Sequence, residues 1–271
     1  RLAKALVDAN RNEEAYAILA EYLTRNPDNA TIRQTQLDLL VKTKRWNEAL
    51  RLSADKLRIE PAREQEVESI IEAVRATPDA VDGIIASAST ASSDTFYLYL
   101  IGRVAADAQR YDDAERILRQ SLAIDSKFIP ARAALGEILV RKCDLQGAMQ
   151  FAIRIDSDTP EDARLERVLG LIYDRLDDTD KAELHYRAAS QLDRADTRSM
   201  FALANVYLRA KKTLQAQRQL RSLLEIRQTH EPARDRDGLR SARSGSRARG
   251  AGQAHRAPRD RRTRPGSAPR R

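Results

Sequence analysis

Cysteine is almost missing from this chain. Cys143 is the only one, which excludes an intrachain disulfide and fits the cytosol without ruling out the periplasm. Aromatic residues make up only 5% while charged residues reach 32%, a balance unusual for a compact enzyme and ordinary for a helical array. No apolar run approaches the ~18 residues of a membrane span. There are three histidines, His185, His230 and His255, and no pair of them or of Cys and His has the spacing of a metal site. A Gly-rich phosphate loop is also lacking. Ser87, Ser89, Ser92 and Ser93 cluster without a base beside them, so they read as a linker or helix end and not as nucleophiles. His185 reads as a solvated surface residue beside Tyr186. Asp177-Asp178-Thr179-Asp180 lacks the alternating ligand spacing of a calcium loop and reads as a turn. No catalytic residue, metal or cofactor is therefore expected.

What is present is a period. Gly102, Gly136, Gly170 and Ala204 are each 34 apart, and Ala114, Ala148, Ala182 and Ala216 keep the same step. A fixed interval means stacked units that bury their apolar faces against neighbours. Each unit reads as two helices. In Ala163–Leu176 the apolar residues Leu165, Val168, Leu169, Ile172, Tyr173 and Leu176 recur at three and four, which places them on one helical face. The Asp177–Asp180 turn follows, and then a second helix with Ala182, Tyr186 and Ala189 on its inner side. Gly170 and Ala182 are small where the two helices must approach closely.

The period extends toward the N-terminus. Ala15 and Ala49 are 34 apart, as are Pro27 and Pro61. Ala49 and Ala114 are separated by three fewer than two full periods, so Glu64–Thr90 is expected to be a degenerate hairpin turning at Thr77-Pro78-Asp79. That gives about seven hairpins over residues 1–230, the first of them truncated. The chain opens on Arg1 and not Met, so a missing N-terminus is expected and a signal peptide cannot be assessed.

Residues 231–271 differ in kind. From Arg234 to Arg271 there are 13 Arg, 3 Asp and no Lys, while the rest of the chain holds 35 basic and 37 acidic side chains. The overall charge of +8 therefore belongs to the tail, and the body carries no nucleic-acid signature. An eighth repeat should begin near Pro232, yet Asp237 and Ser241 stand where large apolar residues belong. Three readings are open: a nucleic-acid-binding arm, a disordered terminus, and an out-of-frame translation of GC-rich coding sequence. The abrupt break at a repeat boundary favours the last.

The pattern resembles the tetratricopeptide repeat, a 34-residue helix–turn–helix. Leu169-Gly170, Tyr173, Ala182, Tyr186 and Ala189 match it, as do Leu203-Ala204, Tyr207, Ala216, Leu220 and Leu223. Leu135-Gly136, Leu139, Ala148 and Pro160 match, and so do Ile101-Gly102, Ala114 and Leu118. The resemblance implies an all-α, right-handed α-solenoid. It also implies a non-catalytic scaffold that binds a protein or peptide partner on the concave side, in a bacterial assembly or envelope-biogenesis complex. The alternative is the recognition arm of a larger enzyme, a glycosyltransferase or protease. No small-molecule substrate is expected, nucleic acid is disfavoured, and the compartment stays open between cytoplasm and periplasm.

First-helix positions used by the family for ligands correspond here to Tyr99, Arg103, Asp107, Glu137, Arg141, Arg164, Arg167, Asp174, Arg175, Arg198, Phe201, Asn205 and Arg209. Arg outnumbers acid seven to three in that set. The expected groove is Tyr99, Arg103, Arg141, Arg167, Arg175, Phe201, Asn205 and Arg209, with an acidic partner. The competing reading is charged solvated faces with Arg–Asp pairing between neighbouring repeats. The family's Lys/Asn clamp for a terminal carboxylate is not reproduced, since its positions hold Tyr99/Arg103, Ala133/Glu137, Arg167/Leu171 and Phe201/Asn205.

Overall fold

The computed structural model describes residues 2–27, 29–59, 64–90, 93–156 and 162–226. Expectations placed on Pro61, Ser92, Pro160, His230, His255 and the 231–271 tail lie outside these residues. The chain divides into two units, Arg1–Leu220 and Arg221–Arg271, and in the second residues 221–226 are helical.

The first unit is an all-α solenoid of antiparallel hairpins. The pairs are α1 (Leu2–Asp8) with α2 (Asn12–Arg25), α3 (Ala30–Lys42) with α4 (Trp46–Ile59), and α5 (Glu64–Arg75) with α6 (Val81–Ser87). They continue as α7 (Thr95–Asp107) with α8 (Tyr111–Ile124), α9 (Ile129–Arg141) with α10 (Leu145–Asp156), and α11 (Ala163–Arg175) with α12 (Thr179–Leu192). Finally, α13 (Thr197–Arg209) is followed by a helix that begins at residue 213. From α7 to α13 each helix packs on the next in the chain, and α9 packs on both α7 and α11.

Local chemistry sets the helix ends at the repeat interval. Asp94, Asp162 and Asp196 cap α7, α11 and α13 by accepting from backbone N–H groups of Tyr97 (3.1 Å), Arg164 (2.9 Å) and Arg198 (3.0 Å). Phe128 holds the equivalent place before α9 and offers no cap, but Pro130 in the first turn supplies a preset φ. Every intra-repeat turn outside the degenerate hairpin closes in one way. Asn10, Lys44, Gln109, Cys143, Asp177 and Lys211 all have φ near +60°, and apart from the step over the degenerate hairpin they are 34 apart. Gln109 N–H donates to Ala106 O at 3.1 Å and Arg110 N–H to Ala105 O at 2.9 Å, and the same two bonds recur at each of the other five turns. This is the Schellman closure, which satisfies the last helical carbonyls.

Gly102, Gly136 and Gly170 lie where two helices meet most closely. A Cβ on Gly102 would stand 2.8 Å from Leu118, and one on Gly170 would stand 2.6 Å from the Tyr186 ring. One on Gly136 would collide with Val168 of the next repeat and reach 2.9 Å from Phe151. Leu118 and Tyr186 are almost fully buried in return, and a buried side chain of this size contributes about 1.5–3 kcal/mol.

Residues 64–90 form a hairpin that departs from the others. After α5, Thr77 leads into a 3-10 turn Pro78–Ala80, and α6 is only 7 residues against 14 in α8 and α12. The short second helix leaves α4 in contact with α7. Arg58 bonds Asp94 at 3.1 Å, and the Arg51 guanidinium lies 4.8 Å over the Tyr97 ring. The core runs continuously from Leu37 to Ala216, whereas Leu6, Ala15, Leu19 and Leu39 form a separate small cluster under the first hairpin.

Candidate functional site

Side chains of α5, α7, α9, α11 and α13 line a surface depression made of three adjoining cavities of about 540, 230 and 330 Å³. Glu137 and Arg198 border all three. The expected groove residues fall into three groups here. Tyr99 is a core residue at 3% exposure: it packs edge-on against Phe128 at 5.7 Å, and its hydroxyl accepts from Arg103 Nη1 at 2.9 Å. It borders the largest cavity without projecting as an aromatic platform. Arg103, Arg167 and Arg209 are ion-paired to neighbouring repeats, with Glu68, Glu137 and Asp174 respectively. Arg167 also lies 3.7 Å from Asp196. Arg141, Arg175, Phe201 and Asn205 are exposed. Neither Arg141 nor Arg175 has a side-chain hydrogen bond or ion pair among the described residues.

Arg198, which the groove expectation left aside, borders all three cavities and likewise has no side-chain partner among the described residues. The lining of the three cavities is not a basic stripe. Six arginines (Arg75, Arg103, Arg141, Arg164, Arg167 and Arg198) face six carboxylates (Glu68, Asp107, Glu137, Asp162, Asp193 and Asp196). Two sources supply acids that a count over the four well-matched first helices leaves out. Glu68 comes from the degenerate hairpin, and Asp162, Asp193 and Asp196 come from loops, where two of them are needed as helix caps. Arg–carboxylate pairing between repeats, at separations of 30 to 35 residues, dominates this surface.

Two side chains read as packing or surface residues have sharper roles. Tyr186 is 2% exposed, lies against Gly170 and borders the 330 Å³ cavity. Burial pushes its phenol up to about 12, against the opposing charges of Arg167 and Arg175, so it keeps its proton at neutral pH. Its hydroxyl has no hydrogen-bond partner among the described residues. His185 is not the solvated residue expected. It is 8% exposed, its Nδ1 lies 2.9 Å from Glu166 Oε2, and its ring stacks on Tyr173 at 5.2 Å with 7° between planes. The spacing 182, 185, 186, 189 is a helical stripe, and that signal places His185 on the buried side. Among the described residues no group of three or more His, Cys, Asp or Glu side chains could hold a metal ion. No helix among them is long and apolar enough to cross a membrane.

Residues 105–172 match a family model described as tetratricopeptide repeat, and residues 168–196 match a second model of the same description. Residues 105–196 are thus tetratricopeptide repeats. The array of the chain is similar to a tetratricopeptide repeat protein from Parabacteroides merdae, with a TM-score of 0.51, 14% identity, and coverage of 83% of this chain and 90% of that one. At that identity the likeness shows the fold. Similarity also extends to YrrB, described as a repeat protein of this family with an unusual peptide-binding site (TM-score 0.43, 15% identity, 81% of this chain and 97% of that one). A further similar structure is MamA from Desulfovibrio magneticus (TM-score 0.46, 18% identity, 68% and 97%). No curated protein matches the sequence.

Proposed function

We propose that this tetratricopeptide array is a non-catalytic scaffold that holds an extended protein segment along α9, α11 and α13. The observation that carries the reading is the depression itself: three cavities share Glu137 and Arg198, and its lining comes from successive first helices together with the loop residues Asp162, Asp193 and Asp196 and with Tyr186 of α12. A chain laid across it would meet a row of guanidinium and carboxylate groups fixed at the repeat interval, backed by the small apolar surfaces of Ala133, Ala134 and Ala202. Paired charges of both signs suit recognition of a polar segment and penalise mismatched partners, which is specificity more than affinity. The partner on this reading carries charges of both signs, with acidic groups directed at Arg141 and Arg198.

Phe201, exposed at 56% on α13, offers an apolar contact next to Ala202. The test is affinity capture of natural partners by the full chain, compared with Arg198→Glu/Phe201→Asp on the inner side and Leu184→Asp, exposed at 59% on α12. Loss of partners with the first variant and retention with the second is expected. Equal capture by both would remove the inner surface as the binding face.

A further inference from the structure

The second hairpin breaks the repeat pattern at a buried position. Leu37 stands 12 before Ala49, as Gly102 stands 12 before Ala114, so Gln36-Leu37 occupies the place of Ile101-Gly102, Leu135-Gly136, Leu169-Gly170 and Leu203-Ala204. The large apolar member of each of those four pairs is almost fully buried. Gln36 is buried as well, at 6% exposure, and its amide makes no hydrogen bond among the described residues. An amide taken out of water without a partner is destabilising, whereas an aliphatic side chain at the same place is stabilising. Gln36 borders a cavity of about 230 Å³ together with Tyr16 of α2, Leu40 of α3, and Glu48, Arg51 and Leu52 of α4. This cavity shares no lining residue with the depression on α5, α7, α9, α11 and α13.

The other polar groups there are unequally engaged. Glu48 Oε1 accepts from Arg45 Nε at 2.6 Å, and Glu48 Oε2 accepts from Arg45 Nη2 at 2.7 Å and from the Tyr16 hydroxyl at 3.1 Å. Arg45 also pairs with Glu13 at 3.1 Å. The Arg51 guanidinium lies over the Tyr97 ring and has no hydrogen bond or ion pair among the described residues. Arg45 and Arg51 thus meet Glu13 and Glu48, and no net charge is left for an ion to balance. The groups left to bind are the Gln36 amide, which donates and accepts, and the Arg51 guanidinium, which only donates.

We infer that Gln36 and Arg51 form a binding site for a neutral primary carboxamide carried on a short aliphatic stem. Such a group answers both: its nitrogen donates to the Gln36 carbonyl, and its oxygen accepts from the Gln36 NH2 and from Arg51. Leu40 and Leu52 flank the stem. A carboxylate of the same shape has no proton to donate, leaves the Gln36 carbonyl unpaired and adds a charge beside Glu48. The inference stands apart from the scaffold reading. An Asn or Gln side chain of a protein partner and a free small amide present the same group.

The experiment titrates the isotope-labelled full chain with propionamide and follows the glutamine NH2 signals by NMR, that of Gln36 being the one absent from Gln36→Leu. A saturable shift of the Gln36 signal is expected, with propionate at least about tenfold weaker. Arg51→Ala should weaken propionamide binding about tenfold, the scale of a charged hydrogen bond. Gln36→Leu should abolish binding and slow amide hydrogen exchange across α3 and α4, because it restores the large apolar residue of the other repeats. Faster exchange in that variant would make Gln36 a packing residue and overturn the site. The peptide Gly-Gly-Gln-Gly-Gly is titrated alongside. Binding at least as tight as that of propionamide assigns the group to a partner's side chain, and weaker binding assigns it to a free amide; either supports the site. Equal shifts with propionamide and propionate, or no saturable shift with propionamide or the peptide, overturn it.

Discussion

At the scale of single residues, three small positions with one spacing carry different constraints. Gly170 is pressed by the Tyr186 ring, Gly102 by Leu118, and Gly136 by side chains of two helices, one in its own repeat and one in the next. Gly83, in the short α6, has nothing within 4 Å of where a Cβ would sit. The two kinds of glycine should therefore respond oppositely to alanine. Gly170→Ala forces the Tyr186 ring aside and is expected to destabilise by about 1–3 kcal/mol. Gly83→Ala meets no obstacle and gains helix propensity, a stabilisation of about 0.5–1 kcal/mol. Urea unfolding of both variants checks this, and a gain from Gly170→Ala would contradict the close-packing role. The constant repeat interval made Gly102, Gly136 and Gly170 legible as contact positions. It offered no way to tell which side chain each one faces, because that depends on the neighbouring helix and not on the glycine.

At the scale of the element, the recurring unit is the turn as much as the helix. Six residues occupy the left-handed region at equivalent places, and their types, Asn, Lys, Gln, Cys, Asp and Lys, share nothing but register. Only Asn and Asp tolerate that conformation readily, so the other four turns carry strain. Gln109→Gly should relieve it and raise stability by about 0.5–1 kcal/mol after the entropy cost of glycine. Thermal denaturation reads the gain, and a loss would mean that the Gln109 side chain contributes a contact larger than the strain.

The same comparison shows why the fold was more legible than the site. Helix pairing follows from apolar spacing within a single helix, and Leu165, Val168 and Leu169 lie on the buried face as their spacing predicts. Groove electrostatics depend on partners a full repeat away in the chain, such as Glu68 with Arg103 and Asp174 with Arg209. Reading each helix alone counts the arginines and misses the loop aspartates that neutralise them. The solitary positions Arg141 and Arg198 stand out only after this pairing is known, and Tyr186 was visible in the sequence solely as a packing residue.

At the scale of the molecule, the array is not evenly held. A solenoid's stability is a sum of repeat and nearest-neighbour terms, so unfolding can begin at a weak end. The first hairpin rests on its own small cluster of Leu6, Ala15, Leu19 and Leu39, joined to the core that runs from Leu37 to Ala216 through Tyr16, which packs against both. The degenerate hairpin then interrupts the regular stack, with a 7-residue α6 where α8 reaches 14 residues. By contrast, α7 to α12 follow one another with glycines at the contacts and nearly complete burial of Ile101, Leu118, Leu169 and Tyr186. The stability gradient therefore runs upward from the N-terminal end to the middle of the array. Trp46, the single tryptophan, opens α4 at 9% exposure and shares a cavity with Ala80, Gly83 and Ile84, so it reports the junction between the second hairpin and the degenerate one. Far-ultraviolet circular dichroism reports all helices. In a urea titration the tryptophan fluorescence transition is expected at a lower midpoint than the dichroism transition, with hydrogen exchange fastest in α1 and α2 and slowest in α7, α8, α11 and α12. Coincident midpoints would show that direct packing of α4 on α7 couples the two sides into one cooperative unit despite the shortened helix between them.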